Sequence, residues 1–285
     1  MPTTTEKHGI DALMPTDMAL ACEAAGASKA SRDALTLLVL GILAGAFIAL
    51  GAVFMSVVLS GSGELPWGVG RLAGGLAFSL GLLLVVVSGA ELFTGDCLMV
   101  VSCASRRISP AALLRAWSIV YIGNVIGALG TAALVFLSAE FRFGRGAVGR
   151  AVLDIATAKA ALPTIELFFL AVLCNVLVCL AVWMSFGART VTDKFFVVVP
   201  PVAAFVAAGF EHSIANLYLL PLGLAIKGWA NVEFWNAIQA TPEDYAGLTA
   251  WASLHNIAIA TIGNLIGGSL MVGIVYWFVY LRRLR

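Results

Sequence analysis

Apolar residues gather in long runs, and five stretches, 35–59, 72–90, 116–139, 167–188 and 245–281, contain no Asp, Glu, Lys or Arg. A bilayer core of ~30 Å takes ~20 residues of helix, because lipid offers no partner for an unpaired backbone N–H or C=O. Each run is therefore expected to cross a membrane. A further region, 195–226, is apolar except for Glu211 and His212, which divide it into pieces too short to cross alone. It reads as one interrupted span, the fifth of six. Residues 1–33 are polar and lack the basic start, apolar middle and cleavage site of a secretory signal, so they are expected to stay on the protein, part of them as an interfacial helix. Residues 231–245, with Phe234, Trp235 and Pro242, read as an ordered interfacial loop or short helix.

Six spans can be oriented by their flanking cations, since Lys and Arg are retained on the cytoplasmic side. Lys7, Lys29, Arg32, Arg106, Arg107, Arg115, Arg189, Lys194, Arg282, Arg283 and Arg285 fall on the side of the termini. Arg71, Arg142, Arg145, Arg150, Lys159 and Lys227 fall on the other. The bias places both termini in the cytoplasm. The organisation expected is a cytoplasmic N-terminal segment, residues 1–34, a six-helix transmembrane domain, 35–281, and a cytoplasmic tail, 282–285.

Composition agrees with a lipid setting: 61% of the 285 residues are hydrophobic and 12% charged. With 17 Lys+Arg against 16 Asp+Glu there is no basic surplus for gripping a phosphate backbone, so no nucleic-acid partner is expected. Cys22, Cys97, Cys103, Cys174 and Cys179 make an odd count, mostly inside apolar runs, and imply no disulfide framework. Three histidines and no metal-ligand spacing leave no case for a metal or other cofactor.

The chain repeats itself. Ile122-Gly123-Asn124-Val125-Ile126-Gly127 in the third span is echoed by Ile262-Gly263-Asn264-Leu265-Ile266-Gly267 in the sixth. Gly89-Ala90-Glu91 in the second is echoed by Gly209-Phe210-Glu211 in the fifth. Three spans per half is an odd number, so the second half is inverted in the membrane relative to the first, as in transporter and channel folds whose sites lie where discontinuous helices meet. A break in lipid leaves backbone groups that cost several kcal/mol each unless satisfied, so both breaks are expected to line protein or water. Between Gly89 and Asp96 lie two glycines, the Thr94 hydroxyl and two carboxylates, a composition suited to an ordered loop.

Among individual residues, His212 stands out as an ionisable group inside a span, where such groups are costly. Glu91 and Glu211 occupy equivalent positions and are read as loop supports, accepting N–H groups of the broken segments. Asn124, Asn175 and Asn264 either bond between helices or face the pathway. Lys159, just outside the fourth span, is either a solvated lysine or a cation gathering anions at a pore mouth. Phe78, Leu82, Leu92, Phe93 and Phe205 are core residues or the apolar constrictions by which pores gate. The stretch Gly41-x-x-x-Gly45 reads as a close-packing surface, within or between protomers.

Gly89-Ala90-Glu91-Leu92-Phe93-Thr94-Gly95 resembles the first signature of the formate/nitrite transporter family, 171–181 resembles the second, and Gly209-Phe210-Glu211-His212-Ser213-Ile214-Ala215-Asn216 resembles its second broken-helix motif. The similarity runs over 14–285 and looks most like the formate-channel branch. It implies an all-α integral membrane fold of six transmembrane helices, in inverted three-helix repeats with two broken helices, an aquaporin-like protomer and a homopentamer with one pore per subunit. By matching positions it implies Phe78 and Phe205 as the periplasmic constriction and Leu82, Leu92 and Phe93 as the cytoplasmic one. It implies His212 as a central pore residue directed at Thr94, Lys159 near the outer vestibule, and Asn175 and Asn264 as polar groups of the chamber. Asp96 departs from the neutral residue expected there.

The expectation is a channel for a small monovalent anion, formate first, in the bacterial cytoplasmic membrane, with proton coupling through His212. Nitrite or hydrosulfide on the same scaffold is the alternative. A membrane-embedded enzyme using Glu211 and His212 lacks any accompanying nucleophile or metal motif.

Overall fold

The structure, a computed structural model, describes residues 11–284. The start of the expected N-terminal segment, with Lys7, and Arg285 lie outside the described residues. Regular structure among the described residues is helical throughout.

Helix α1 (Pro15–Ser31) precedes α2 (Ala34–Ser60), which begins at Asp33 because that side chain accepts the Thr36 N–H at 3.0 Å. Helix α3 (Trp67–Ser88) ends at a break, after which α4 (Phe93–Asp96) leads through a 3₁₀ turn into α5 (Val100–Ala104). Helix α6 (Pro110–Leu137) starts earlier than the uncharged run, since Ser109 caps it and Pro110 suits its first turn. The second half comprises α7 (Ala147–Ala160), α8 (Thr164–Gly187), α9 (Val191–Ala207), α10 (Ser213–Trp229), α11 (Val232–Ile238), α12 (Ala250–Ile266) and α13 (Val275–Tyr280). Five helical stretches are long and apolar enough to cross a membrane. Helices α9 and α10, 17 residues each and separated by the Glu211-His212 region, form the interrupted sixth.

Two features differ from the reading of the apolar runs. Helix α7, which no run announced, carries Arg150 and Lys159 and buries one face through Val148, Val152, Leu153 and Ala156. It is the counterpart of α1: each precedes the first span of its half, and each carries a lysine in its last turn, Lys29 and Lys159. The run 245–281 is not uniform, because between α12 and α13 the chain passes through a π-helix, Gly267–Ile274. Such segments cluster at functional sites. This one begins where α12 crosses α8 so closely that a Cβ on Gly267 would lie 2.2 Å from the Val172 carbonyl oxygen. At the equivalent crossing of α6 with α2, a Cβ on Gly127 would lie 2.0 Å from Ile42 O. Gly41 and Gly45 face α6, so that surface is used within the protomer.

Polar groups are turned inward to an unusual degree: Glu91, Thr94, Asp96, Asn124, Asn175, Glu211, His212, Asn216, Asn256 and Asn264 are all buried. Large apolar side chains such as Leu134, Phe169, Ile122 and Leu270 are exposed. In water that surface would be an association hazard; against lipid it is matched.

Candidate functional site

Both breaks follow one construction. Gly89 at φ 75° and Gly209 at φ 78° end α3 and α9 in the left-handed region, which glycine enters without steric cost. The next residue bonds back into its helix, Ala90 N–H to Val85 O at 3.1 Å and Phe210 N–H to Phe205 O at 3.0 Å. Glu91 N–H then donates to Leu40 O at 3.2 Å, and Glu211 N–H to Leu170 O at 3.3 Å. A buried asparagine completes each loop. Asn124 Nδ2 donates to Gly41 O (2.8 Å) and Glu91 O (2.9 Å), and its Oδ1 accepts Phe93 N–H at 2.9 Å. Asn264 Nδ2 donates to Ala171 O (2.7 Å) and Glu211 O (2.9 Å), and its Oδ1 accepts Ser213 N–H at 2.8 Å. These bonds satisfy the backbone groups that the breaks would leave bare at membrane depth.

The carboxylates do something other than expected. Among the described residues no loop backbone N–H donates to the Glu91 or Glu211 carboxylate; both hold cations. Glu91 pairs with Arg32 and lies 2.7 Å from Lys29, whose ammonium is also 2.5 Å from Asp96 Oδ1. Glu211 lies 2.7 Å from Lys159 and accepts Asn216 Nδ2 at 2.7 Å. Lys29, Glu91 and Asp96 thus correspond to Lys159, Glu211 and Asn216. Asn256 joins the second set, donating to Lys159 O at 2.9 Å. Burial alone would lower the Lys29 pKa, but Asp96 and then Glu91 overcome that and raise it above the ordinary lysine value.

Between the two sets, Thr94 Oγ1 lies 3.0 Å from His212 Nε2. His212 also caps α10, its Nδ1 accepting Ala215 N–H at 3.1 Å. A nitrogen that accepts carries no proton, so the ring in this geometry is the neutral tautomer with hydrogen on Nε2, donating to Thr94. The Thr94 hydroxyl proton is left for another acceptor. Phe205 stacks on the imidazole at 5.9 Å between ring centroids and meets Phe78 edge-on at 5.8 Å.

Two cavities approach this pair. The wider, about 400 Å³, is lined by Arg71, Phe78, Asp154, Lys159, Phe205, Glu211 and His212 among others. The narrower, about 190 Å³, is lined by Lys29, Arg32, Leu82, Glu91, Leu92 and Asp96 among others. Phe78 and Phe205 therefore stand beside His212 on the wide side, and Leu82 and Leu92 on the narrow side. Phe93 lines neither cavity; its ring packs edge-on to Tyr121 (5.0 Å) and Trp117 (6.3 Å) of α6. Asn175 and Asn264 stand behind the loops rather than in a cavity: Asn175 Nδ2 donates to Thr94 O (3.1 Å) and Asn264 O (2.6 Å).

Lys29, Arg32, Arg71, Asn216 and Asn256 were not singled out in the sequence. Lys29 could have been found, since Ser28-Lys29-Ala30 stands to the first span as Ala158-Lys159-Ala160 stands to the fourth. Arg71 has no counterpart in the repeat and carried no local signal.

A family model described as formate/nitrite transporter matches residues 16–278. The formate channel FocA of Escherichia coli (strain K12) is 46% identical over 273 residues, 95% of this chain and 96% of that protein. The formate channel FocA of Haemophilus influenzae is 38% identical over 275 residues, 96% of this chain and 97% of that one. Among solved structures, a pentameric formate channel with formate bound is similar at a TM-score of 0.83 and 42% identity, over 87% of this chain and 98% of that chain.

Proposed function

The chain belongs to the formate/nitrite transporter family, and on that premise we propose that it is a formate channel of the bacterial inner membrane, a homopentamer in which each protomer carries its own route. It is a multi-pass membrane protein and a transporter, not an enzyme. The observation that carries the reading is a pair of cavities, each against one broken helix: the wide one lined by His212, the narrow one by Leu92 and Gly95, which flank the segment bearing Thr94, the partner of His212.

With both termini in the cytoplasm, as the Lys/Arg bias favours, the narrow cavity with Lys29 and Arg32 opens inward and the wide one with Lys159 outward. A formate ion leaving either cavity meets apolar side chains that strip its water, Phe78 and Phe205 outside, Leu82 and Leu92 inside. A bare carboxylate there is costly unless something replaces the lost hydration. The Thr94 hydroxyl, whose oxygen is occupied by His212, has its proton free to donate to a carboxylate oxygen. Asn175 and Asn264 act by holding the Thr94 and Ser213 backbone in place, and Glu91 and Glu211 by anchoring the loops to α1 and α7.

Proton coupling requires a second step. For His212 to become an imidazolium, Nδ1 must take a proton and release Ala215 N–H, so the α10 cap opens when the ring is charged. Coupled transit as formic acid thus belongs to acidic conditions, and transit of the anion to neutral ones.

Electrical and tracer flux measurements on proteoliposomes with formate, nitrite, hydrosulfide, acetate and chloride across a pH series test the assignment. The expected result is that formate passes fastest and that proton co-movement grows as pH falls. A protein that conducts nitrite or hydrosulfide in clear preference to formate contradicts the formate reading while leaving the family intact.

A further inference from the structure

We propose that Arg71, rather than Lys159, is the anion-gathering cation of the wide vestibule: a carboxylate subsite that this fold builds on one side of the membrane only. The inference deepens the formate-channel reading and rests on it. Lys159 is at the vestibule, but its ammonium is 2.7 Å from Glu211 Oε1 and its charge is answered there. Asp154, which also lines the cavity, has Arg150 at 3.9 Å and accepts the Tyr245 hydroxyl at 3.2 Å. Arg71 is different. Among the described residues no carboxylate lies within ion-pair distance of it, and its bonds go to main-chain carbonyls, Nε to Ala207 O at 3.2 Å and Nη2 to Val206 O at 2.8 Å.

Those carbonyls lie in the last turn of α9 immediately before the Gly209 break, at the negative end of the helix dipole, where Val206 O also accepts Gly209 N–H at 3.1 Å. They fix one edge of the guanidinium without cancelling its charge. The Trp67 ring, 5.8 Å from the guanidinium carbon, braces it from α3. Among the described residues Nη1 has no hydrogen-bond partner, and the side chain lines the cavity that includes His212. A planar fork with one edge tied down and donors to spare matches a carboxylate in geometry as well as in sign.

Among the described residues the opposite vestibule has no such group. Both of its cations, Lys29 and Arg32, are held by Glu91 and Asp96. Among the described residues no side chain donates to the Val86 or Val87 carbonyls, the positions equivalent to Val206 and Ala207 in the other half. Attraction of anions is thereby confined to the wide side.

Initial rates of formate flux in vesicles of both orientations test this, comparing wild type, Arg71→Gln and Arg71→Lys. From the wide side, Arg71→Gln raises the apparent KM about fivefold at low salt with Vmax little changed, Arg71→Lys restores only part of the loss because an ammonium keeps the charge without the fork, and added salt narrows the difference by screening the longer-range part of the attraction, beyond ~10 Å at ~0.1 M. From the narrow side all three proteins behave alike. A wild-type KM in Arg71→Gln, or an equal change from both sides, overturns the subsite. If Arg71→Gln does not assemble, the wild type carries the test: its wide-side KM rises with ionic strength and its narrow-side KM does not, and a flat wide side overturns the proposal. Absence of saturable formate flux in the wild type removes the channel reading itself, a failure distinct from that of the subsite.

Discussion

The two halves of the molecule share a frame and differ in what hangs on it. In both, a left-handed glycine ends a helix, a glutamate backbone bonds back to the neighbouring span, and an asparagine on the third helix makes three bonds to the loop and its neighbour. The frame repeats because the problem repeats: each break exposes backbone groups in lipid, and the same residues satisfy them. The contents diverge within the broken segments themselves. Leu92 in the first half stands opposite His212 in the second, Thr94 opposite Ile214, and Asp96 opposite Asn216. Inverted repetition thus supplies the support, and departures from it supply the chemistry.

The comparison can be broken most severely at the shared frame. Asn124→Ala and Asn264→Ala each leave one loop N–H and one loop carbonyl without the asparagine, while Gly41 O and Ala171 O keep their helical partners, and at ~1–3 kcal/mol per orphaned group each is expected to lose about 3 kcal/mol of stability. Thermal unfolding of the solubilised protein should show the two variants falling together. A large loss for one and none for the other would mean that the halves are not supported alike.

The glutamates separate the halves. Glu211→Gln leaves the Lys159 charge with no carboxylate beside it, a change worth about 3 kcal/mol for a largely buried pair. Glu91→Gln leaves Asp96 to hold Lys29 and lets the more exposed Arg32 hydrate, so about 1 kcal/mol is expected. Melting curves of the two variants, and of Glu91→Gln with Asp96→Asn, check the ranking. The double variant should fall to the level of Glu211→Gln.

A smaller effect separates the starts of the first span in each half. Asp33 caps α2 and its pKa is held below the ordinary carboxylate value by the Thr36 hydroxyl and N–H. Its contribution is therefore full above the ordinary carboxylate range and disappears as pH falls through the depressed value. The equivalent residue before α8, Pro163, makes no side-chain cap. Amide exchange should accelerate with acid at the start of α2 relative to the start of α8; equal acceleration at both would contradict the role of Asp33.

Much of this was legible in the sequence because lipid punishes ambiguity. An uncharged run of span length has few alternatives, and a glycine-acid interruption inside one must be supported, so the six spans, both breaks and the pairing of Asn124 with Asn264 could be read from residue order. What could not be read depends on partners distant in the chain. Glu91 and Glu211 were placed correctly at the breaks, but nothing local reveals that Lys29 and Lys159 would reach them, 62 and 52 positions away in sequence. Helix α7 escaped notice because its apolar face is short and interleaved with Arg150, Asp154 and Lys159. The π-helix is not explained by close packing alone, since α6 crosses α2 as closely at Gly127 and stays α-helical. Phe93 adjoins Thr94 in sequence, yet its side chain packs on α6, a direction that depends on the turn geometry after the break.

The central claim, that the junction of Thr94 with His212 is the point of transit between the two cavities, is tested most directly by giving that junction the residue of the opposite half. His212→Leu, the residue found at Leu92, should reduce formate flux in proteoliposomes at least tenfold, an increase of about 1.4 kcal/mol in the barrier. Oligomer assembly should be retained, with the cap of α10 weakened by about 1 kcal/mol. An assembled His212→Leu protein that carries formate at the wild-type rate would contradict the account.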